Sequence, residues 1–128
     1  MGRMYCFSSL AEFSMLREII KAELVRISGK EALGVFIAIN EGVNNAIFHG
    51  NKEDCNKKVY LSMEELSSEI KIVIRDEGCG FIKAEISDTT SLFDEHGRGF
   101  EIIQRYVDSY ELNGLGNELT LIKKSVIA

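Results

Sequence analysis

Proline and tryptophan are both missing from the 128 residues. No helix can therefore be broken by a ring that lacks an amide hydrogen, and the turns fall to glycine, serine and asparagine. Cysteine is scarce: Cys6, Cys55 and Cys79 are odd in number and far apart, with no C-x-x-C pair. That excludes a zinc knuckle or a dithiol redox centre and leaves reduced, structural thiols. Basic clusters are also lacking, since 15 Lys and Arg stand against 20 Asp and Glu for a net charge of −5. Direct binding of nucleic acid by counterion release is thereby disfavoured, so any role in transcription runs through proteins. No apolar run approaches the roughly 18 residues of a membrane span, and the opening "MGRMYCFSSL" has neither the apolar core nor the cleavage site of a secretory signal. The expectation is a cytoplasmic protein without a membrane segment. Low-complexity tracts, repeats and linkers are missing too, so residues 1–128 read as one domain. A hydrophobic content of 45% can build its core without staples.

Periodicity supplies the elements. Residues 3–7 suit a short edge strand, and Ser9-Leu10-Ala11-Glu12 is a capping box that opens a first helix. In that helix Phe13, Leu16, Ile20, Leu24 and Ile27 recur at intervals of three and four, and Gly29 stops it. Ser28 and Glu31 form a second capping-box pattern for a helix from about Lys30 to His49, with Gly50 as its left-handed terminator. From Lys57 the period falls to two: Val59, Leu61 and Met63, then Ile70, Ile72 and Ile74, predict a hairpin. An aperiodic stretch to Glu95 predicts a mobile loop. A third helix follows from the glycines of "HGRGFEII" with Phe100, Ile103 and Val107 inward, and then strands around Ser109–Leu112 and Glu118–Val126. This order predicts an α+β, two-layer sandwich, three helices on one face of a mostly antiparallel sheet.

Three constellations carry chemistry. Glu41, Asn45 and His49 form a row opposite the apolar face of the second helix, which a solvated surface would also explain. Yet Gly34 and Ala38 continue the row as small residues, so a neighbour is expected to cover it and the row to border a cleft. A carboxylate one turn from an amide can set a general base beside a hard oxygen ligand of the kind Mg²⁺ accepts. His49 before Gly50 reads first as ordinary helix-ending chemistry. The second constellation is Asp76-Glu77-Gly78-Cys79-Gly80 at a strand end. Its glycines would let a flat ligand approach, and its aspartate could accept a hydrogen bond from an exocyclic amine, although a plain loop fits as well. The third is Gly97-Arg98-Gly99-Phe100 at a helix start, where free amides, the helix dipole and a guanidinium suit a phosphate; a hinge is the bland alternative. No G-x-x-x-x-G-K-[ST] occurs, which excludes a P-loop.

E-x-x-x-N on a helix, D-x-G-x-G after a strand and G-x-G opening a later helix together resemble the ATPase superfamily of histidine kinases, gyrase, Hsp90 and MutL. "NEGVNNAIFHGN", "DEGCGF" and "HGRGFEII" look most like its small anti-sigma-factor serine/threonine kinases, over nearly the whole chain. The resemblance implies a Bergerat-type fold with ATP between helices and sheet. In it Asp76 would read the adenine amine beside Gly78 and Gly80, and Asn45 would hold Mg²⁺. Glu41 would be the catalytic base, and Gly97, Arg98, Gly99 and Phe100 would cradle phosphates under a lid from about Ile82 to His96. It further implies two protein partners, a sigma factor and a small anti-sigma-factor antagonist that is phosphorylated on serine, and often a homodimer. The lid is short, Asn117 stands where the family has a threonine near a phosphate, and Cys79 sits between the glycines. The competing reading is a partner-binding module, with or without nucleotide, that transfers no phosphoryl group.

Overall fold

The computed structural model describes residues 2–52, 54, 56–78, 100–114 and 116–124. Its elements are β1 (Gly2–Phe7), α1 (Leu10–Ser28), α2 (Ala32–Asn44), β2 (Val59–Glu65), β3 (Glu69–Asp76), β4 (Ser109–Leu112) and β5 (Glu118–Lys124). Residues 100–106 are helical as well and are labelled α3.

The start of α1 follows its capping residues. The Ser9 hydroxyl accepts the Glu12 N–H at 3.2 Å, and the Glu12 carboxylate accepts the Ser8 N–H at 2.5 Å. Gly29 ends the helix at φ +56°, with its N–H bonded to the Val25 carbonyl. The second capping box does not form. Ser28 still has near-helical backbone angles, and its hydroxyl donates back to the Leu24 carbonyl at 2.7 Å. That hydroxyl has no reach left for the next helix. A single 3₁₀ turn, Gly29–Glu31, carries the chain into α2 instead.

The far end of α2 also differs from the expectation. After Asn44 the helix widens into a π-helix, Asn45–Gly50, and the Asn51 N–H bonds to the Ala46 carbonyl five residues back at 2.8 Å. Gly50 is not a left-handed terminator: among the described residues only Gly29 and Gly116 are glycines with positive φ.

The five strands form one antiparallel sheet in the order β1-β2-β3-β5-β4. Alternation puts Val59, Leu61, Met63, Ile70, Ile72, Ile74, Leu119 and Leu121 on one face, all buried. Against them pack Phe13, Ile20, Leu24 and Ile27 of α1, Val35, Phe36, Ile39 and Val43 of α2, and Ile103 of α3. Each such side chain contributes about 1.5–3 kcal/mol when fully buried, so this layer holds the sandwich together. The expected class, a two-layer α+β sandwich, is the one found.

Two glycines set how closely α2 sits. A Cβ at Gly42 would lie 2.5 Å from Ile74 Cδ1 on β3, and one at Gly34 would lie 2.6 Å from the Tyr106 ring of α3. Ala38 is completely buried. The small residues that continue the polar row of α2 are thus covered, as their size predicted. The result is a helix pressed onto the sheet on one side and onto α3 on the other.

Candidate functional site

Where α2 passes into its π-helical end, α2, β3, α3 and the β4–β5 connection line a small, open pocket. Asn45 and Ala46, Ile74 and Asp76, Phe100, Gly116 and Asn117 are among the residues that line it. Three of the sequence candidates, Asn45, Asp76 and Phe100, are therefore brought together from segments up to 55 positions apart in the chain, the separation of Asn45 and Phe100 in the numbering.

Asn45 stands at the junction of α and π winding. One polar atom of its side chain, Nδ2, is buried without a hydrogen-bond partner. Buried polar groups are nearly always satisfied, so an orphan on a pocket wall is a donor that a water or a ligand would complete. A carboxamide can turn either its oxygen or its NH₂ toward such a ligand, so it suits a hard cation or a phosphate oxygen. Glu41 is half-buried one helical turn earlier, on the row that leads to Asn45, but it does not line the pocket. His49 falls in the π-helical segment after Asn44, is half-buried, and does not line the pocket. Gly50 also belongs to the site, for a reason other than turning the chain: a Cβ there would fall 2.2 Å from Asp76 Oδ2.

Asp76 closes β3 and is 7% exposed. Its Oδ1 accepts the Gly78 N–H at 2.8 Å, and its own N–H donates to the Asn117 carbonyl at 2.9 Å. Burial pushes its carboxyl up to about 6 from the ordinary 3.8, against the lowering effects of the Gly78 hydrogen bond and the Lys57 charge. A carboxylate held in an apolar surround, with Ile74 and Leu119 also on the pocket wall, is poised to accept a hydrogen bond from a ligand. Gly78 matters here twice, as a donor to Asp76 and as a close approach, since a Cβ would lie 2.0 Å from the Gly50 carbonyl oxygen. Phe100 stacks flat on Tyr110, with centroids 5.3 Å apart and planes within 5°. It offers the pocket one half-buried aromatic edge.

Asn117, expected where the family has a threonine, has a structural role. Its side chain is held in the β4–β5 turn, where Oδ1 accepts from Asn113 Nδ2 at 2.8 Å, while its backbone carbonyl supports Asp76. Cys79, Gly80, Gly97, Arg98, Gly99 and the expected lid from 82 to 96 lie outside the described residues. Among the described residues no group of three or more His, Cys, Asp or Glu could hold a metal ion, and no helix is long and apolar enough to cross a membrane.

Sequence reading missed Gly42 as the glycine that seats α2 on Ile74, and it missed Asn51. Asn51 closes the stretch NEGVNNAIFHGN, is 2% exposed, and bonds the residue before β2 and the residue after β3 at once. An asparagine after glycine is so common in turns that its type carried no signal.

Residues 8–123 match the model of the histidine kinase-like ATPase domain. The chain is similar to the anti-sigma F factors of Bacillus velezensis and Bacillus subtilis, each 31% identical over 93 residues, which is 66% of this chain and 64% of each relative. It is 29% identical to the anti-sigma F factor of Shouchella clausii over 108 residues, 78% of this chain and 74% of that one. The alignment thus spans less than two thirds of the length of the first two relatives. The match across 8–123 covers both layers of the sandwich and both walls of the pocket, and the chain belongs to the histidine kinase-like ATPase domain family.

Proposed function

We propose that the chain is an ATP- and Mg²⁺-dependent protein serine/threonine kinase that acts as an anti-sigma factor in the cytoplasm. It sequesters a sigma factor and phosphorylates a small antagonist protein, and a second copy of the chain is its partner in a homodimer. The observation that carries the reading is the pairing, in one pocket, of a buried carboxylate at Asp76 with an unsatisfied buried amide at Asn45. A ligand that fits both has a flat polar head bearing an amine and, at its other end, oxygens that share a cation. ATP with Mg²⁺ has that form, and the anti-sigma F factors to which the chain is similar point the same way.

The residues divide the work. Asp76 accepts the adenine amine, while Ile74, Leu119 and Phe100 shield the ring from water. Asn45 would hold Mg²⁺ through its amide oxygen, and the ion would supply charge neutralisation at the phosphates. Glu41, one turn away on the same helix, orients and deprotonates the incoming serine hydroxyl. Phosphoryl transfer depends chiefly on positioning and charge, so these side chains need rigid mounts, and the packing of Gly42 on β3 and Gly34 on α3 provides them. Gly97, Arg98 and Gly99 complete the phosphate end of the site in this reading, with Gly80 beside the base and residues 82–96 as lid.

One observation favours the narrower reading, nucleotide binding without transfer: Glu41 is not among the residues that line the pocket. Transfer of labelled γ-phosphate from ATP to a recombinant antagonist domain separates the two. The kinase reading expects transfer by the wild type and none by Glu41→Ala, with Mg-ATP binding equal in both. Transfer retained by Glu41→Ala removes the assigned base.

A further inference from the structure

Among the described polar side chains that are buried, Asn51 is the least exposed, at 2%. It sits just beyond the π-helix, and its carboxamide is used at both ends. Nδ2 donates to the Lys58 carbonyl at 3.0 Å, and Oδ1 accepts the Glu77 N–H at 2.8 Å. The sheet register explains why these two groups need it. Val59 pairs with Asp76 at the end of the β2–β3 ladder, so Lys58 and Glu77 are the next residues along. Instead of a further backbone rung, the Asn51 amide spans the gap, donating to one chain and accepting from the other as a peptide group would. The Lys58 N–H closes the circuit on the Glu77 carboxylate at 2.5 Å.

The neighbours of this clamp are the residues that surround the Asp76 carboxylate. Gly50, one residue before Asn51, lies against Oδ2, and Gly78, one residue after Glu77, donates to Oδ1. On its other side Asp76 is fixed by the ladder and by the Asn117 carbonyl. Beyond the ladder, two side chains hold the peptide that follows Asp76: Asn51 accepts its N–H at 2.8 Å, and Asn117 Nδ2 donates at the longer distance of 3.5 Å to its carbonyl.

We infer that Asn51 is a positioning residue for base recognition: it acts through the Glu77 amide and Gly50 to aim the Asp76 carboxylate, and so sets how strongly the site discriminates a purine bearing a 6-amino group from one lacking it. The inference rests on the reading of Asp76 as the acceptor of that amine. Removing the Asn51 acceptor frees the 76–77 peptide, and the Gly78 hydrogen bond that orients Oδ1 loosens with it. Binding of the triphosphate end at Asn45 involves none of these groups.

The test compares dissociation constants for Mg-ATP and for the Mg complex of purine riboside triphosphate, which is the same molecule without its amine, together with melting temperatures. A hydrogen bond to a charged acceptor gives the wild type a preference for ATP of about tenfold or more. Asn51→Ala reduces that preference to about twofold by weakening ATP while leaving the analogue nearly unchanged. Asn51→Ser, which keeps a polar atom but is too short to bridge both chains, does the same and serves if the alanine variant does not fold. Ser28→Ala, which removes another buried hydrogen bond remote from the pocket, lowers the melting temperature and leaves the preference intact. Asn51 variants that keep the wild-type preference, or that weaken both nucleotides equally, reduce Asn51 to a structural residue and overturn the inference alone. A wild type that binds the two nucleotides equally overturns the role of Asp76 and this inference with it.

Discussion

Replacing Asp76 by asparagine keeps the outline of the side chain and removes a charge that the fold holds at a cost. The folded carboxyl titrates near 6 and an ordinary one near 3.8, with burial the main cause. Because the folded value is the higher, the native chain keeps a proton between about pH 4 and 6 that the unfolded chain has already released. Stability therefore falls as pH rises through that window and levels off above it. Two pKa units correspond to about 3 kcal/mol at neutral pH, and relaxation around the site reduces the expected gain to about 1–3 kcal/mol. For a chain of this size that gain amounts to a rise of about 4–12 °C in melting temperature. The substituted amide can still accept the Gly78 N–H through its oxygen, so the loop geometry survives. Thermal unfolding followed by circular dichroism without nucleotide, at pH 7.5 and pH 4.5, reads the effect. Asp76→Asn melts above the wild type at pH 7.5, and the difference shrinks at pH 4.5, where the wild-type carboxyl is also neutral. A variant that melts below the wild type at pH 7.5, or a difference that does not change with pH, refutes the claim that Asp76 is a strained, functional carboxylate. The same variant loses the stabilisation by Mg-ATP, since its NH₂ meets the adenine amine donor to donor, which is the exchange of function for stability expected at a binding site.

Gly50→Ala places a methyl group 2.2 Å from Asp76 Oδ2 in a backbone conformation that alanine tolerates, so its effect is one of crowding. It lowers stability by about 1–3 kcal/mol in urea unfolding and weakens Mg-ATP binding, whereas a left-handed terminator would lose stability without a specific effect on the ligand. Ser9→Ala removes the acceptor that caps α1 and costs about 1 kcal/mol, read from the denaturation midpoint at unchanged slope. Leu24→Ala empties a completely buried site between α1 and the sheet and costs about 2–5 kcal/mol by the same assay, with nucleotide discrimination unchanged in the folded fraction.

The strands and helices were legible because each buries one face against the other layer. Val59-Leu61-Met63 and Ile70-Ile72-Ile74 alternate for that reason, and Phe13, Ile20, Leu24 and Ile27 recur with the helical period. Asn45 and Asp76 stood out because short polar motifs interrupted those patterns, and the fold brings both to one pocket. What remained hidden depends on groups far apart in the chain. Ser28 and Glu31 have capping-box spacing, but the Leu24 carbonyl claims the hydroxyl first. The widening of α2 at Asn45 leaves no mark on residue type. Gly50 looked like a helix stop because its real constraint, the Asp76 carboxylate, arrives from a strand 26 positions later, the difference of the two residue numbers. Asn51 was silent for the same reason, its partners being Lys58 and Glu77.

The central claim is that the pocket between α2 and β3 binds Mg-ATP through Asn45. Calorimetric titration of Mg-ATP into the wild type and Asn45→Ala tests it most directly. The account predicts saturable binding at one site per chain in the wild type, lost or weakened at least about tenfold in a variant that keeps its fold and melting behaviour. Absence of binding by the wild type, or equal affinity in Asn45→Ala, contradicts it.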